Sequence, residues 1–391
     1  MDITETEVLF AQKLVSGEGR IRKKALHRLR KWLSTHVARS CASTNNSISG
    51  VHETVPPFDD ADFLRLWKGL YYCLWMQDKP VLQEDLVRDI CELIECFELS
   101  DSQVLAWIRG FYVTYAREWG CIDRWRIDKF LMFMRKFHRR HIEWLQAKNF
   151  APELLDASLT IWRTTFLGPQ DAGDGRRFPD GVKFHFASVF LDELDHVCGK
   201  EGVSNELMAK LLKPFVDILE DRKTSDYLFK TVVDEIFQAI LVLHSQSLQQ
   251  DSDVKSVSQI ATDQINETDN EIPNDTEGIT FNYEKIADCL FAAGKQSSVV
   301  SSRRRVIYDL VKNFRVAAEG NDPILEVISS GSELSEGEID VAAQKYIKMT
   351  NMCGKDRGRA KKKRKMQRKD LIKRSKQEES DFSDNEDINN G

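Results

Sequence analysis

In the stretch FLRLWKGLYYCLW, the residues Phe63, Leu66, Trp67, Leu70, Tyr71 and Leu74 fall at i, i+3, i+4, i+7, i+8 and i+11. That spacing places all six on one side of an α-helix and leaves the other side polar. The same period returns in block after block up to about Gln246. It predicts helices over 4–16, 20–37, 58–78, 80–98, 101–118, 122–148, 152–166, 182–198, 205–221 and 225–245. Further helical patterns follow at 283–294 and 298–320. Pro80 and Pro152 stand where a first helical turn tolerates proline. Strand signals are few: DGVKFHF alternates briefly but could equally open a helix. Many amphipathic helices of about 15 to 20 residues with short connections point to an all-α chain: an irregular HEAT/armadillo-like helical-repeat body with a disordered, charged C-terminal extension. No repeat of fixed period is visible, so an irregular helical bundle is the competing architecture.

The stretch DKFLMFMRKFHRRHIEWLQ, Asp128 to Gln146, could suggest a membrane segment, a nucleic-acid contact or a metal site. At about 100° per residue, Ile127, Phe130, Leu131, Phe133, Met134, Phe137, Ile142, Trp144 and Leu145 share one half of the cylinder. Arg135, Lys136, Arg139, Arg140 and Glu143 share the other half, with Met132 as the one apolar exception. His138 and His141 fall inside the apolar arc, which makes them core or core-edge groups rather than ligands, since no carboxylate or cysteine is spaced to complete a metal site. Charges interrupt the run too often for a bilayer, which needs about 20 apolar residues. The N-terminal MDITETEVLF has neither a cationic start nor an apolar core, so no signal peptide is expected.

The formal net charge of -6 conceals segregation. Eight cations face one acid between Glu18 and Arg39, nine face three between Arg109 and Arg140, and thirteen face two between Lys355 and Lys376. The compensating acids lie in 246–279 and 317–341, which read as solvated spacers. The expected organisation is a helical body (1–245), an acidic disordered linker (246–280), a short helical segment (281–317) and a disordered tail (318–391). Within the tail, Lys361, Lys362, Lys363, Arg364, Lys365, Arg368 and Lys369 form a nuclear-import or polyanion-binding run. Ser335 and Ser383 each precede a glutamate by three residues and are phosphorylation candidates.

Two more cationic rows lie on helices: Lys23, Lys24, Arg28, Arg30 and Lys31, then Arg135, Lys136, Arg139 and Arg140. A solvated face normally mixes signs to gain pairs of a few tenths of a kcal/mol each, whereas like charges at this spacing cost a similar amount. Both rows are therefore candidate phosphate contacts, and reversing the second should release a partner and leave its helix folded. Base-specific readout has no visible agent, because the aromatics fall on buried stripes.

Catalytic signatures are missing. Ser16 to Arg20 contains G-x-G without a strand before it, and there is no GxxxxGK[ST], G-x-S-x-G or HExxH. Asp192, Glu193, Asp195 and His196 read as an exposed acidic face. The eight cysteines include no CxxC and read as buried free thiols of a reducing compartment. No cofactor and no small-molecule substrate is expected.

FAQKLVSGEGRIRKKALHRLRKWL, FLRLWKGLYYCLWMQDKP and WGCIDRWRIDKFLMFMRKF together resemble the Nop52 / ribosomal RNA processing protein 1 family over roughly Val8 to Ser245. The resemblance implies a nucleolar, non-enzymatic assembly factor of the large ribosomal subunit that supports pre-rRNA processing. Its partners would be pre-rRNA and neighbouring assembly factors. Two rival readings are a nuclear helical-repeat adaptor that meets acidic proteins without touching RNA, and a metal hydrolase built on His138 and His141.

Overall fold

The computed structural model describes residues 3–45, 56–168, 178–249 and 279–324. The described residues up to Pro323 belong to one compact unit. The basic run Lys361 to Lys369, Ser335, Ser383 and nearly all of the expected linker lie outside the described residues.

Among the described residues there is no strand. The helices are α1 (Ile3–Leu14), α2 (Gly19–Asn45), α3 (Asp60–Trp75), α4 (Pro80–Cys91), α5 (Asp101–Glu118), α6 (Ile127–Ala147), α7 (Pro152–Thr164), α8 (Asp180–Cys198), α9 (Asn205–Glu220) and α10 (Asp226–Val232). A π-turn, Val233–Gln238, leads from α10 into α11 (239–249). Two more helices, α12 (Tyr283–Gly294) and α13 (Ser301–Ala318), follow.

Side-chain caps fix several starts. Asp59 and Asp62 form a capping box on α3. Ser204, Ser225 and Asn282 accept from the backbone N–H three residues on, opening α9, α10 and α12. The alternating DGVKFHF belongs to α8, where Val182, Phe186, Val189 and Phe190 are buried together at helical spacing.

The helices stack in two rows. In one, α1 packs on α3, α3 on α5, α5 on α7, α7 on α9 and α9 on α12. In the other, α2 packs on a 3-10 segment after α4 (Glu92–Phe97), α4 on α6, α6 on α8, and α8 on α10. This alternation is a helical-repeat solenoid: each pair buries its stripes against the next. The α12–α13 pair extends the same order, because α12 continues the first row and α13 meets the end of the second. There Arg303 donates to Asp226 Oδ1 (2.7 Å) and to Thr224 O (2.5 Å), and Phe314 contacts Phe237.

Aromatic rings fill the seam between the rows. Trp67 of α3 lies 4.2 Å from Trp107 of α5 and edge-on to Phe137 of α6, and Phe137 stacks on Phe111 at 3.8 Å. Such pairs contribute about 0.5–1.5 kcal/mol each beyond their buried area. Trp67 Nε1 donates to Trp107 O (2.8 Å), so the buried indole loses no hydrogen bond. Phe137 and Trp144, both on the apolar half of the α6 wheel, are buried.

The approach of α3 to α5 depends on Gly110, where an added Cβ would stand 2.8 Å from Trp67 Cδ1 and 3.2 Å from Phe63 Cβ. Alanine ordinarily stabilises a helix interior by about 1 kcal/mol over glycine, while overpacking costs about 1–3 kcal/mol. Gly110→Ala is expected to lower stability by about 1 kcal/mol in urea unfolding. A rise in midpoint would contradict this contact.

Candidate nucleic-acid interface

Helix α2 opens the second row, so its flank away from the following repeat has no helical neighbour in that row. Ala25, Leu26, Leu29, Leu33 and Val37 are buried, and the opposite side carries Arg20, Lys23, Lys24, Arg28 and Lys31, all exposed. Among the described residues no carboxylate pairs with Arg20, Lys24, Arg28 or Lys31. Lys23 lies near Asp89, whose carboxyl pKa is raised by burial and drawn back by Arg88 and Lys23. Arg30 differs from the rest of its row: its guanidinium donates to Glu92 Oε2 (3.1 Å) and Glu95 Oε2 (2.6 Å). Arg22 is buried, donating to Ser16 O (2.8 Å), Gly17 O (3.0 Å) and Gln77 Oε1 (2.6 Å), so the G-x-G loop is tied to the α3–α4 turn.

The second row, on α6, is engaged throughout. Arg135 and Arg139 both donate to Glu193, and Arg135 also reaches Asp192 (3.4 Å). Lys136 pairs with Glu84 (2.8 Å), while Arg140 pairs with Glu95 and with Glu143 (3.0 Å). Apart from Glu143 of α6 itself, the partners come from α4, its 3-10 extension and α8, which flank α6 on both sides. Glu193 is fully buried rather than part of an exposed face. Reversing Arg135 and Arg139 would set carboxylates against it, so that substitution would disturb the packing of α8 on α6 before it tested any external contact.

His138 and His141 sit in the core. Tyr112 Oη lies 3.4 Å from His138 Nδ1 and 3.3 Å from His141 Nδ1, and His141 Nε2 is 3.0 Å from Ser158 Oγ. Burial pushes both imidazoles down, His141 to about 3, so both are neutral at pH 7. Among the described residues no group of three His, Cys, Asp or Glu is placed to hold a metal.

One exposed aromatic escaped the periodicity. Trp125 is 90% exposed in the loop before α6, outside any helical stripe. Its signal was an Arg-Trp-Arg triplet behind Asp123, a residue suited to turn formation. At the root of the same loop Lys129, 4% exposed, donates to Trp75 O (2.7 Å) and Gln77 O (2.9 Å). The stretches LWKGLYYCLWMQDKP and DRWRIDKF are thereby joined through one buried ammonium, whose pKa burial pushes down to about 8.

Residues 5–389 match the family described as nucleolar protein, Nop52. The chain belongs to the Nop52 family. Its relatives include the ribosomal RNA processing protein 1 homolog of Caenorhabditis elegans, 33% identical over 358 residues, covering 91% of this chain and 80% of the relative. Homolog A of Homo sapiens is 30% identical over 356 residues, covering 82% and 73%. The Dictyostelium discoideum homolog is 25% identical over 339 residues, covering 82% and 61%. The Nop52 match runs through both joined stretches, through both cationic rows and on into the charged C-terminal residues.

The buried histidines give the fold a pH dependence of defined sign. Unfolded imidazoles take up protons below about 6.5, whereas His138 and His141 stay neutral in the fold. Stability contributed by these two sites therefore falls as the pH drops below 6.5. By pH 5 the expected loss is about 2 kcal/mol for each, and urea titrations of His141→Gln should recover about half of it. An unchanged slope would rule out a neutral buried His141. Glu193→Ala is expected to cost about 3 kcal/mol, the low end for breaking a buried pair because its arginines are a third exposed. Arg88→Ala, which breaks only surface pairs, should cost less than about 1 kcal/mol. Equal costs for the two would contradict the buried position of Glu193.

Proposed function

We propose that this chain is a non-enzymatic nucleolar assembly factor for the large ribosomal subunit, which supports pre-rRNA processing by docking on RNA and on neighbouring factors. The observation that carries the RNA contact is the cationic row of α2. Arg20, Lys23, Lys24, Arg28 and Lys31 are exposed on one helix, and among the described residues none of them forms an ion pair, with Lys23 alone acting on a nearby carboxyl, that of Asp89. A phosphate chain would offset the repulsion within the row and gain from counterion release. Such contacts position a protein on RNA without reading its bases. Arg30, Arg135, Lys136, Arg139 and Arg140 act mainly within the fold in this reading, each presenting only the part of its head group that its carboxylate leaves uncovered. Membership of the Nop52 family, and relatives named for ribosomal RNA processing, support the same assignment. Import would use the run Lys361, Lys362, Lys363, Arg364, Lys365, Arg368 and Lys369, and phosphorylation at Ser335 or Ser383 would add charge to acidic surroundings.

The alternative is a helical-repeat adaptor whose α2 row meets an acidic protein. It draws on the pairing already seen in the fold, where the α6 cations are matched by carboxylates.

The test is the combined variant Lys23→Glu, Lys24→Glu, Arg28→Glu and Lys31→Glu in the full chain. Its helical circular dichroism should match the wild type, because among the described residues none of the four makes an ion pair. RNA affinity is expected to fall at least about tenfold, and the log–log salt slope by about one for each phosphate contact removed. In cells the variant should lose its crosslinks to pre-rRNA. RNA binding within twofold of the wild type would make α2 a solvated or protein-facing surface.

A further inference from the structure

Trp125 stands in the loop between a 3-10 turn (Trp119–Cys121) and α6, and the loop beneath it is fixed on several sides. Asp123 Oδ1 accepts from the backbone N–H groups of Trp125 (3.0 Å) and Arg126 (3.0 Å). The other oxygen of the Asp123 carboxylate takes the Arg126 guanidinium, which lies 4.8 Å from the centre of the Trp75 ring. Lys129 ties the first turn of α6 to Trp75 O and Gln77 O. Gln77 in turn accepts from Arg22 in the first turn of α2. The loop thus shares one anchored corner with the end of α2 that carries Arg20, Lys23 and Lys24.

An indole is among the most favourable side chains to remove from water, burying about 150–250 Å². Here it is held outward on a fixed backbone, with Arg124 exposed beside it. Two partners could cover such a ring. A protein would use it as a hot spot, which ordinarily sits at the centre of a dry, well-packed patch. The residues on either side of Trp125 are Arg124 and Arg126, with Asp123 beneath, so the ground around the ring is charged. A nucleobase suits that ground better: its π face stacks on the indole, and cations beside the ring meet the adjoining phosphates.

We propose that Trp125 is a stacking platform for an unpaired base of a single-stranded RNA segment whose phosphates continue along the α2 row. The proposal rests on the α2 reading above and adds to it a preference for unpaired RNA. Nothing on the loop reads base edges, so the platform accepts any base. It also gives the chain the means to distinguish a single strand from a duplex, since paired bases offer no free face.

The test compares the full wild-type chain with Trp125→Ala, Trp125→Phe and the four-residue α2 variant. Each is titrated by fluorescence anisotropy against a short labelled RNA of mixed sequence, single-stranded or annealed to its complement, at one fixed salt concentration. Truncating a ring this exposed should leave the melting temperature unchanged. Trp125→Ala is expected to weaken single-strand binding roughly five- to hundredfold, the range seen when one stacking aromatic is removed, and to leave duplex binding within twofold. Trp125→Phe should retain most of the single-strand affinity. If Trp125→Ala binds the single strand within twofold of the wild type while the α2 variant loses both RNAs, the platform falls and the α2 docking stands. If its RNA affinities are unchanged but a protein is lost from captured particles, Trp125 is a protein hot spot and the platform also falls. Failure of the wild type to bind either RNA overturns both readings.

Discussion

The carboxylate of Glu193, fully buried between Arg135 and Arg139, fixes where α8 lies against α6. In a solenoid each helix pair touches only its neighbours, so the course of the whole stack depends on such local couplings. Glu193 is the most enclosed rung of a ladder. Arg30 of α2 holds Glu92 and Glu95, Glu95 also takes Arg140 of α6, and Lys136 reaches back to Glu84 of α4. A buried ion pair is weak evidence of stability beside an apolar replacement, but breaking one leaves a charge without compensation. A slip of α8 by one turn along α6 would take Glu193 away from one of its two arginines. The ladder therefore acts on register, while the aromatic seam of Trp67, Trp107, Phe111 and Phe137 adds apolar burial between the rows.

The same geometry explains why the two helical rows of cations have different fates. Helix α6 lies inside its row, with carboxylates from α4 and its 3-10 extension on one side and from α8 on the other. Helix α2 begins the row, and among the described residues Arg30 pairs with Glu92 and Glu95 of the neighbouring 3-10 segment. Lys23, Lys24, Arg28 and Lys31 remain on the open flank. Their mutual repulsion is tolerable because water screens exposed charges. In the proposed docking a polyanion would offset that repulsion and leave the interior pairs of the solenoid undisturbed.

Much of the secondary structure could be read from the chain, and the departures have local causes. Asp101–Glu118 carries its own boundary signals and matches its expected span. Helix α6 begins at Ile127 rather than Ile122 because the Asp123 side chain captures the backbone N–H groups of Trp125 and Arg126 and closes a separate turn. The helix expected over 225–245 contains a π-turn at Val233–Gln238, a change of winding that apolar periodicity over so few residues does not register. Of the candidate interface, the cationic rows are legible in the sequence but Trp125 is not, because the helix expected over 122–148 absorbs it, whereas the structure holds it in a turn before α6. The charged neighbours Asp192 and Asp195 point to an exposed Glu193, but a helix face that meets another helix can still carry a carboxylate if arginines meet it.

The sequence by itself determined that this chain is helical, which side of each helix is apolar, where like charges gather, and its resemblance to the Nop52 family. Only the tertiary structure decided which cationic row is paired with carboxylates among the described residues. The reason is geometric. Periodicity fixes each side chain's direction around its own helix axis, but the carboxylates that meet Lys136 and Arg139 lie 52 and 54 residues away along the chain. Their arrival depends on how the helix pairs stack, which no single helix encodes.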